Sequence, residues 1–206
     1  MRNISSLVID SLYDQVREGD TAVAGLYCDF LAQELSIAHM MGAILKQLVG
    51  RGNIPGYIRE GFRRGGRQLR FQDLMKWLRM AIASLRQVFI CIDALDECPP
   101  KRLPDLLMSL RDIIRECSGT RVFLTGRPHI RENIQRYFPK AFEMPIATKT
   151  KDIRNYLEKR LVKDDEPEAM DDGLWRDIME IIPETVSDTC VGIFWTSTLP
   201  IMYTYQ

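Results

Sequence analysis

The stretch VFICIDALDECPP, residues 88–100, joins a short apolar run to three acidic residues. An uninterrupted apolar run of this length predicts a β-strand that is buried on both faces, as in a parallel sheet. The acidic residues then fall at the carboxyl end of that strand, where ligands bind in open α/β sheets. The rest of the chain must supply the other strands and the other half of such a site.

Strand and helix patterns alternate along the whole chain. Apolar and β-branched runs predict strands at residues 21–30, 87–93, 120–126 and 141–146. Helical periodicity predicts helices at residues 4–16, 37–50, 71–85, 103–117, 130–138, 151–162 and 174–188. This alternation predicts an α/β fold with a mainly parallel sheet and helices on both faces.

Composition limits the classes of partner. The 28 Lys and Arg residues balance the 28 Asp and Glu residues, so no net charge draws the protein to nucleic acid or anionic lipid. Five widely spaced cysteines without a CxxC pair predict reduced thiols rather than a metal site. No segment approaches the ~18 apolar residues that span a bilayer. We therefore expect a cytoplasmic protein that binds neither nucleic acid nor membrane.

The segment RGNIPGYIREGFRRGGRQLR, residues 51–70, contains six arginines and five glycines. Its charge suggests a nucleic-acid patch, but it lacks regularly interleaved aromatic residues, and its glycines break a helix. We therefore expect a solvated loop here, with nucleic-acid binding as the alternative.

Asp93 follows the buried strand directly and is a candidate ligand for Mg²⁺, because a hard cation prefers oxygen donors. Asp96 and Glu97 come within one turn of it and could orient or deprotonate an attacking water. The alternative is that these acids only solvate a loop and supply negative charge to the start of the next helix.

A second apolar strand ends in polar residues about thirty positions later, in RVFLTGRPHI, residues 121–130. Arg127, just after this strand, could bind a terminal phosphate, because a guanidinium holds phosphate oxygens in a bidentate fork. The alternative is a surface arginine in a turn made by Gly126 and Pro128. Thr125 immediately precedes that turn.

Together, FICIDALDECPP, RVFLTGRPHI and the earlier DTAVAGLYCDF resemble the NACHT-type domains of STAND-class P-loop NTPases. The closest likeness is to the nephrocystin-like N-terminal version found in many fungal receptor-type proteins, over roughly residues 3–195. The resemblance implies that Asp93 is the Walker B residue that binds Mg²⁺ and that Asp96 and Glu97 are the extended acidic pair. It implies that Arg127 is the sensor arginine, in a loop framed by Thr125 and Pro128. ATP or ADP with Mg²⁺ are the implied cofactors, and ATP rather than GTP is expected from the family alone.

The resemblance also requires a phosphate-binding loop, GxxxxGK[ST], but no glycine in this sequence is followed by lysine. NISSLVID matches the helix that follows such a loop, so the lysine and threonine would fall on Met1 and Arg2. We therefore expect a P-loop NTPase-like sheet whose central first strand is missing. The strands at 87–93 and 120–126 would then flank an empty lane or pair directly, and this chain would bind ATP weakly or not at all.

Residues 1–163 are interpreted as a partial NACHT-type nucleotide-binding domain. Residues 164–206 are interpreted as an acidic linker and the start of a truncated helical region, since the tail after Gly192 is apolar but aperiodic. The favoured function is a fragment of a STAND signalling ATPase, a nucleotide-dependent switch. Its protein partners would act through flanking effector and repeat domains, with a possible homo-oligomer. The alternative is a degenerate, non-catalytic interaction module, and whether the chain hydrolyses ATP stays open.

Overall fold

A computed structural model describes residues 4–15, 20–29, 36–50, 55–65, 70–147, 149–161, 171–186 and 190–196. Its strands are β1 (Thr21–Tyr27), β2 (Gln87–Asp93), β3 (Thr120–Gly126), β4 (Phe142–Ala147) and β5 (Cys190–Thr196). Its α-helices are α1 (Ile4–Gln15), α2 (Ile37–Val49), α3 (Gly56–Gly65), α4 (Phe71–Ala83), α5 (Leu103–Glu116), α6 (Arg131–Tyr137), α7 (Thr150–Leu161) and α8 (Asp172–Val186). Short 3₁₀ turns at Leu95–Glu97 and Pro128–Ile130 follow β2 and β3. Met1, Arg2 and residues 164–170 of the predicted acidic linker lie outside the described residues.

The strands form one sheet in the order β1-β2-β3-β5-β4. β1, β2 and β3 are parallel, and β5 is antiparallel to both β3 and β4. The predicted α/β fold with a parallel sheet among helices is confirmed. For the strands at residues 87–93 and 120–126, the sequence left two alternatives, an empty strand position between them or direct pairing. The empty position is wrong, because β2 and β3 pair directly, with Val88 opposite Thr120. Direct pairing satisfies the backbone groups that an open lane would leave without partners.

Alternate residues of the three parallel strands enter two separate clusters on opposite faces of the sheet. On β2, Ile90 and Ile92 face the large cluster with α2, α4, α5 and α6, whereas Phe89 and Cys91 face a small cluster that α1 covers. We call these sides the large-cluster face and the α1 face. The alternation follows from the two-residue period of a strand, and burial on both faces explains the continuous apolar runs in the sequence.

The outer edge of β1 is closed by a side chain of α2. The Gln47 amide nitrogen donates to the Gly25 carbonyl at 2.7 Å, and its oxygen accepts from the Gly25 N–H at 2.9 Å. An edge strand otherwise presents such groups unpaired. Gln47 therefore occupies the hydrogen-bonding position that another strand would take at this residue.

The loop predicted over residues 51–70 is wrong for residues 56–65, which form α3. Ile58 of this helix is buried in the large cluster. Gly61 lies so close to α4 that an added Cβ would stand 1.9 Å from Cζ2 of Trp77. The glycine that argued against a helix is thus the residue that lets α3 approach the Trp77 ring, and the resulting burial outweighs the low helix propensity.

The strand at Cys190–Thr196 was not predicted, because the apolar, aperiodic tail after Gly192 was interpreted as the start of a truncated helical region. Its backbone pairs with β3, with Val122 opposite Thr196, and with β4, with Phe142 opposite Trp195. Backbone pairing on both sides does not require the alternation that marks a half-exposed strand. Within the described part of the chain, no helix is long and apolar enough to cross a membrane.

Candidate functional site

The register of the parallel strands brings Asp93 and Thr125 together. Val88 lies opposite Thr120, and the same offset places the last residue of β2 opposite Thr125. The Thr125 hydroxyl donates a short hydrogen bond to Oδ1 of Asp93, and Oγ1 of Thr125 accepts from the Ala94 N–H at 3.0 Å. Thr125 therefore orients the carboxylate and secures the first peptide of the loop that follows it.

Ala94 turns the chain sharply at the end of β2. It has φ 52°, a left-handed conformation that is uncommon for a residue with a Cβ and costs about 1 kcal/mol. The turn leads into the 3₁₀ segment Leu95–Glu97, whose first side chain is fully buried. Burial of Leu95 anchors the segment, so the two acids that follow it are held next to the end of β3.

Asp96 and Arg127 form the second link between the two strand ends. Asp96 Oδ1 accepts from the Arg127 N–H at 3.2 Å, and Oδ2 lies 3.4 Å from Nε of the same arginine. The Asp96 side chain is 8% exposed and that of Arg127 is 64% exposed. Gly126, between Thr125 and Arg127, leaves room for Ile130, because an added Cβ would stand 2.4 Å from Cδ1 of Ile130. Asp96 thus contacts the Arg127 guanidinium at Nε, while most of the arginine side chain is exposed to solvent.

Tyr27 ends β1 directly opposite Asp93 and is largely exposed. The negative charges around it, that of Glu97 first, raise the pKa of its phenol. This shift reports an acidic potential across the end of the sheet, to which Asp93 and Asp96 also contribute. The sequence analysis did not single out Tyr27, because only the β1–β2 register places it beside the acids.

The fit of Mg²⁺ depends on the Asp93 carboxylate. Among the described residues, Thr125 is its hydrogen-bonding partner, which leaves acceptor capacity on the carboxylate. The part of the chain that the structure describes contains no group of three or more His, Cys, Asp or Glu side chains that could hold a metal ion. Mg²⁺ often binds through one or two carboxylates and takes its other ligands from phosphate and water. Asp93 therefore suits one position of such a shell but does not form a protein cage.

The predicted site residues thus come together at one end of the sheet. The structure pairs Asp93 with Thr125 and Asp96 with Arg127 across β2 and β3, and Glu97 lies in the same 3₁₀ segment as Asp96. Their roles as catalytic, metal-binding or phosphate-binding groups stay predictions. The geometry defines a class: an α/β protein whose adjacent parallel strands present linked acidic and basic side chains at their carboxyl ends.

The family model described as "Nephrocystin 3, N-terminal" matches residues 3–127. The chain belongs to this family, which confirms the nephrocystin-like part of the resemblance. The match runs from α1 through β3 and includes every predicted site residue, ending at Arg127. No curated protein and no solved structure matches the chain.

Proposed function

We propose that this chain carries the nucleotide-handling domain of a STAND-class signalling NTPase with a NACHT-type site, a switch that changes state when ADP is exchanged for ATP. One observation carries the proposal: two side-chain links, Asp93 to Thr125 and Asp96 to Arg127, join the carboxyl ends of adjacent parallel strands. A carboxylate that suits Mg²⁺ thus lies near a guanidinium that suits a terminal phosphate.

Each residue has a distinct role in this proposal. Asp93 holds Mg²⁺, with Thr125 fixing the orientation of its carboxylate. Arg127 binds the terminal phosphate, and its link to Asp96 positions the arginine before the phosphate arrives. Asp96 and Glu97 orient or deprotonate the attacking water if hydrolysis occurs. When bound, Mg²⁺ supplies positive charge that neutralises the phosphate oxygens.

The phosphate-binding loop is the component that these 206 residues do not contain, since no glycine is followed by lysine. The backbone N–H groups and the lysine of such a loop provide most contacts to the phosphates. We therefore propose that the 206 residues alone bind ATP weakly or not at all. A longer native product that includes GxxxxGK[ST] would bind ATP and Mg²⁺ in the cytoplasm and act through flanking effector and repeat domains, with self-association as one possible output.

The first experiment determines the native product. The 5′ end of the transcript and the intact mass of the cellular protein establish whether a GxxxxGK[ST] loop precedes residue 1. Binding of a fluorescent ATP analogue with Mg²⁺ is then measured for the native product and for the 206 residues alone. We expect binding by a loop-containing product and at least about tenfold weaker binding after Asp93→Asn, because the Mg²⁺ ligand loses its charge.

Asp105→Asn is the matched control, since Asp105 is an exposed carboxylate in the first turn of α5 and is not one of the predicted site residues. It should leave ATP binding unchanged. Equal ATP affinity for Asp93→Asn and the unaltered product would contradict the proposed role of Asp93. Micromolar, Mg²⁺-dependent binding by the 206 residues alone, abolished by Asp93→Asn, would contradict the requirement for the loop.

The second candidate is a non-catalytic interaction module that keeps the fold. It is favoured by the missing Gly-Lys pair. A native product of 206 residues that unfolds cooperatively, at a Tm that ATP and Mg²⁺ do not change, would support this candidate, because a ligand that binds only the folded state raises Tm.

A further inference from the structure

Three side chains lie in one row across the carboxyl ends of the parallel strands. Tyr27 of β1 is directly opposite Asp93 of β2, and the β2–β3 register continues the row to Thr125 of β3. Opposite residues of adjacent strands point to the same face of a sheet, as the hydrogen bond from Thr125 to Asp93 shows. In the strand order β1-β2-β3, Asp93 therefore has Thr125 on one side and Tyr27 on the other.

Tyr27 lies at the point on the α1 face where the sheet becomes accessible to solvent. Side chains two residues apart on a strand share a face, so Gly25 precedes Tyr27 on this side of β1. An added Cβ on Gly25 would stand 3.5 Å from Cδ1 of Ile9 in α1. Tyr27, in contrast, is 54% exposed. The ring of Tyr27 is therefore accessible at the same end of the sheet as the Asp93 carboxylate.

The electrostatics agree with this placement of the phenol. The charge of Glu97 is the largest cause of the raised pKa of Tyr27, and the charge of Asp93 adds to it. The phenol therefore stays neutral at physiological pH, so its oxygen can accept a hydrogen bond and its O–H can donate one. Mg²⁺ that is held by one carboxylate keeps several waters, and each of these waters is a hydrogen-bond donor. The Tyr27 phenol suits a water of this kind.

We propose that Tyr27 is a further positioning residue of the nucleotide site, and that its phenol oxygen accepts a hydrogen bond from a water bound to the Mg²⁺ that Asp93 holds. Thr125 then orients the carboxylate from the β3 side, while Tyr27 orients the water from the β1 side. This inference rests on the proposed function, because it requires Mg²⁺ at Asp93.

The first measurement tests whether the Tyr27 ring lies beside the bound cation. It uses the whole native product with ADP and with Tb³⁺ in place of Mg²⁺, because Tb³⁺ emits light when a nearby tyrosine ring is excited. We expect emission that excess Mg²⁺ abolishes and that Asp93→Asn also abolishes. Tyr27→Phe should remove most of this emission, whereas Tyr156→Phe, which alters an exposed tyrosine of α7, should retain it.

The second measurement tests the hydrogen bond itself. Tyr27→Phe keeps the aromatic ring and removes only the hydroxyl, so a change in cation affinity reports the hydroxyl and not the packing of the ring. Binding of Mn²⁺ with ADP is followed by electron paramagnetic resonance. We expect about fivefold weaker binding after Tyr27→Phe, which is the typical effect of one hydrogen bond, and no change after Tyr156→Phe. Both variants should keep the Tm of the unaltered protein.

The outcomes separate this inference from the proposed function. If Asp93→Asn abolishes the emission but Tyr27→Phe keeps the Mn²⁺ affinity of the unaltered protein, the hydrogen bond from Tyr27 is overturned and the role of Asp93 stands. Equal weakening by Tyr27→Phe and Tyr156→Phe would also overturn the inference alone. If Asp93→Asn changes neither emission nor affinity, or if the unaltered protein gives no emission that Mg²⁺ abolishes, both the inference and the proposed Mg²⁺ site are overturned.

Discussion

The two faces of the sheet are built from the same three strands but covered very differently. On the large-cluster face, α2, α4, α5 and α6 contribute buried residues, whereas α1 is the described helix that covers the other face. The strand residues on the α1 face are nonetheless buried, with Val23 and Cys91 each 1% exposed. Among the described residues, the α1 face therefore excludes water with fewer buried helix residues than the large-cluster face.

The largest effect is expected on the large-cluster face. Leu107 of α5 is completely buried there, and Leu107→Ala should lower the free energy of unfolding by about 3–5 kcal/mol, because a cavity remains among rigid neighbours. Urea unfolding measures the change. Met108→Ala alters the adjacent, exposed residue of the same helix and should change stability by less than about 1 kcal/mol. Equal losses would contradict the assigned orientation of α5.

A smaller effect tests how closely the helices of the large-cluster face are packed. Gly61→Ala would place its Cβ 1.9 Å from Trp77 Cζ2, so the indole or α3 must move, and we expect destabilisation by about 2–3 kcal/mol. Gly42→Ala in α2 is the matched control, because nothing lies within 4 Å of its added Cβ. Since alanine favours a helix, the control should be stabilising by about 0.5–1 kcal/mol. Thermal melting of both variants distinguishes these outcomes, and stabilisation by Gly61→Ala would show that α3 does not pack on Trp77.

The corresponding test of the α1 face is Leu12→Ala. Leu12 is the residue of α1 that is buried against Val23 and Phe89. We expect a loss of about 2 kcal/mol, at the lower end for a buried leucine, because a single helix can settle into the space. Chemical denaturation of Leu12→Ala and Leu107→Ala under the same conditions gives the comparison. A larger loss for Leu12→Ala would reverse the order of the two faces.

The smallest effect is on the pH dependence of stability, which tests how well the α1 face excludes water from Cys91. Burial raises the pKa of the Cys91 thiol to about 12 from an ordinary value of 9.0. The folded state therefore keeps its proton where the unfolded chain loses it, so this contribution to stability is complete below about pH 9 and is lost as pH rises toward 12. The slope is at most about 1.4 kcal/mol per pH unit for one group.

Unfolding free energies measured between pH 8 and pH 10.5 provide the test. Other groups titrate in the same range, so the informative quantity is the difference in slope between the unaltered protein and Cys91→Ala. We expect the unaltered protein to lose stability more steeply. Identical slopes would indicate that water reaches Cys91 beneath α1.

The sequence predicted the parallel strands and the placement of the site residues at their ends, because continuous apolar runs and the residues that follow them are local features. It did not predict which side chains pair. Thr125 meets Asp93 only because of the β2–β3 register, and Asp96 meets Arg127 only because of the 3₁₀ turn after Ala94. Helix α3 was missed because its contacts, with Gly61 against Trp77 and Ile58 in the large cluster, involve residues of other elements. These features depend on tertiary contacts that no short window of sequence contains.

The two hydrogen bonds between the Gln47 amide and the Gly25 backbone also protect the β1 edge of the sheet from pairing with a strand of another molecule. A strand from another molecule that docked on β1 at Gly25 would first have to displace both amide contacts. Templated addition of the kind that propagates fibrils is therefore opposed at the β1 end. Replacing Gln47 alone would therefore expose the N–H and carbonyl of Gly25 at this edge, although no residue of β1 itself is changed.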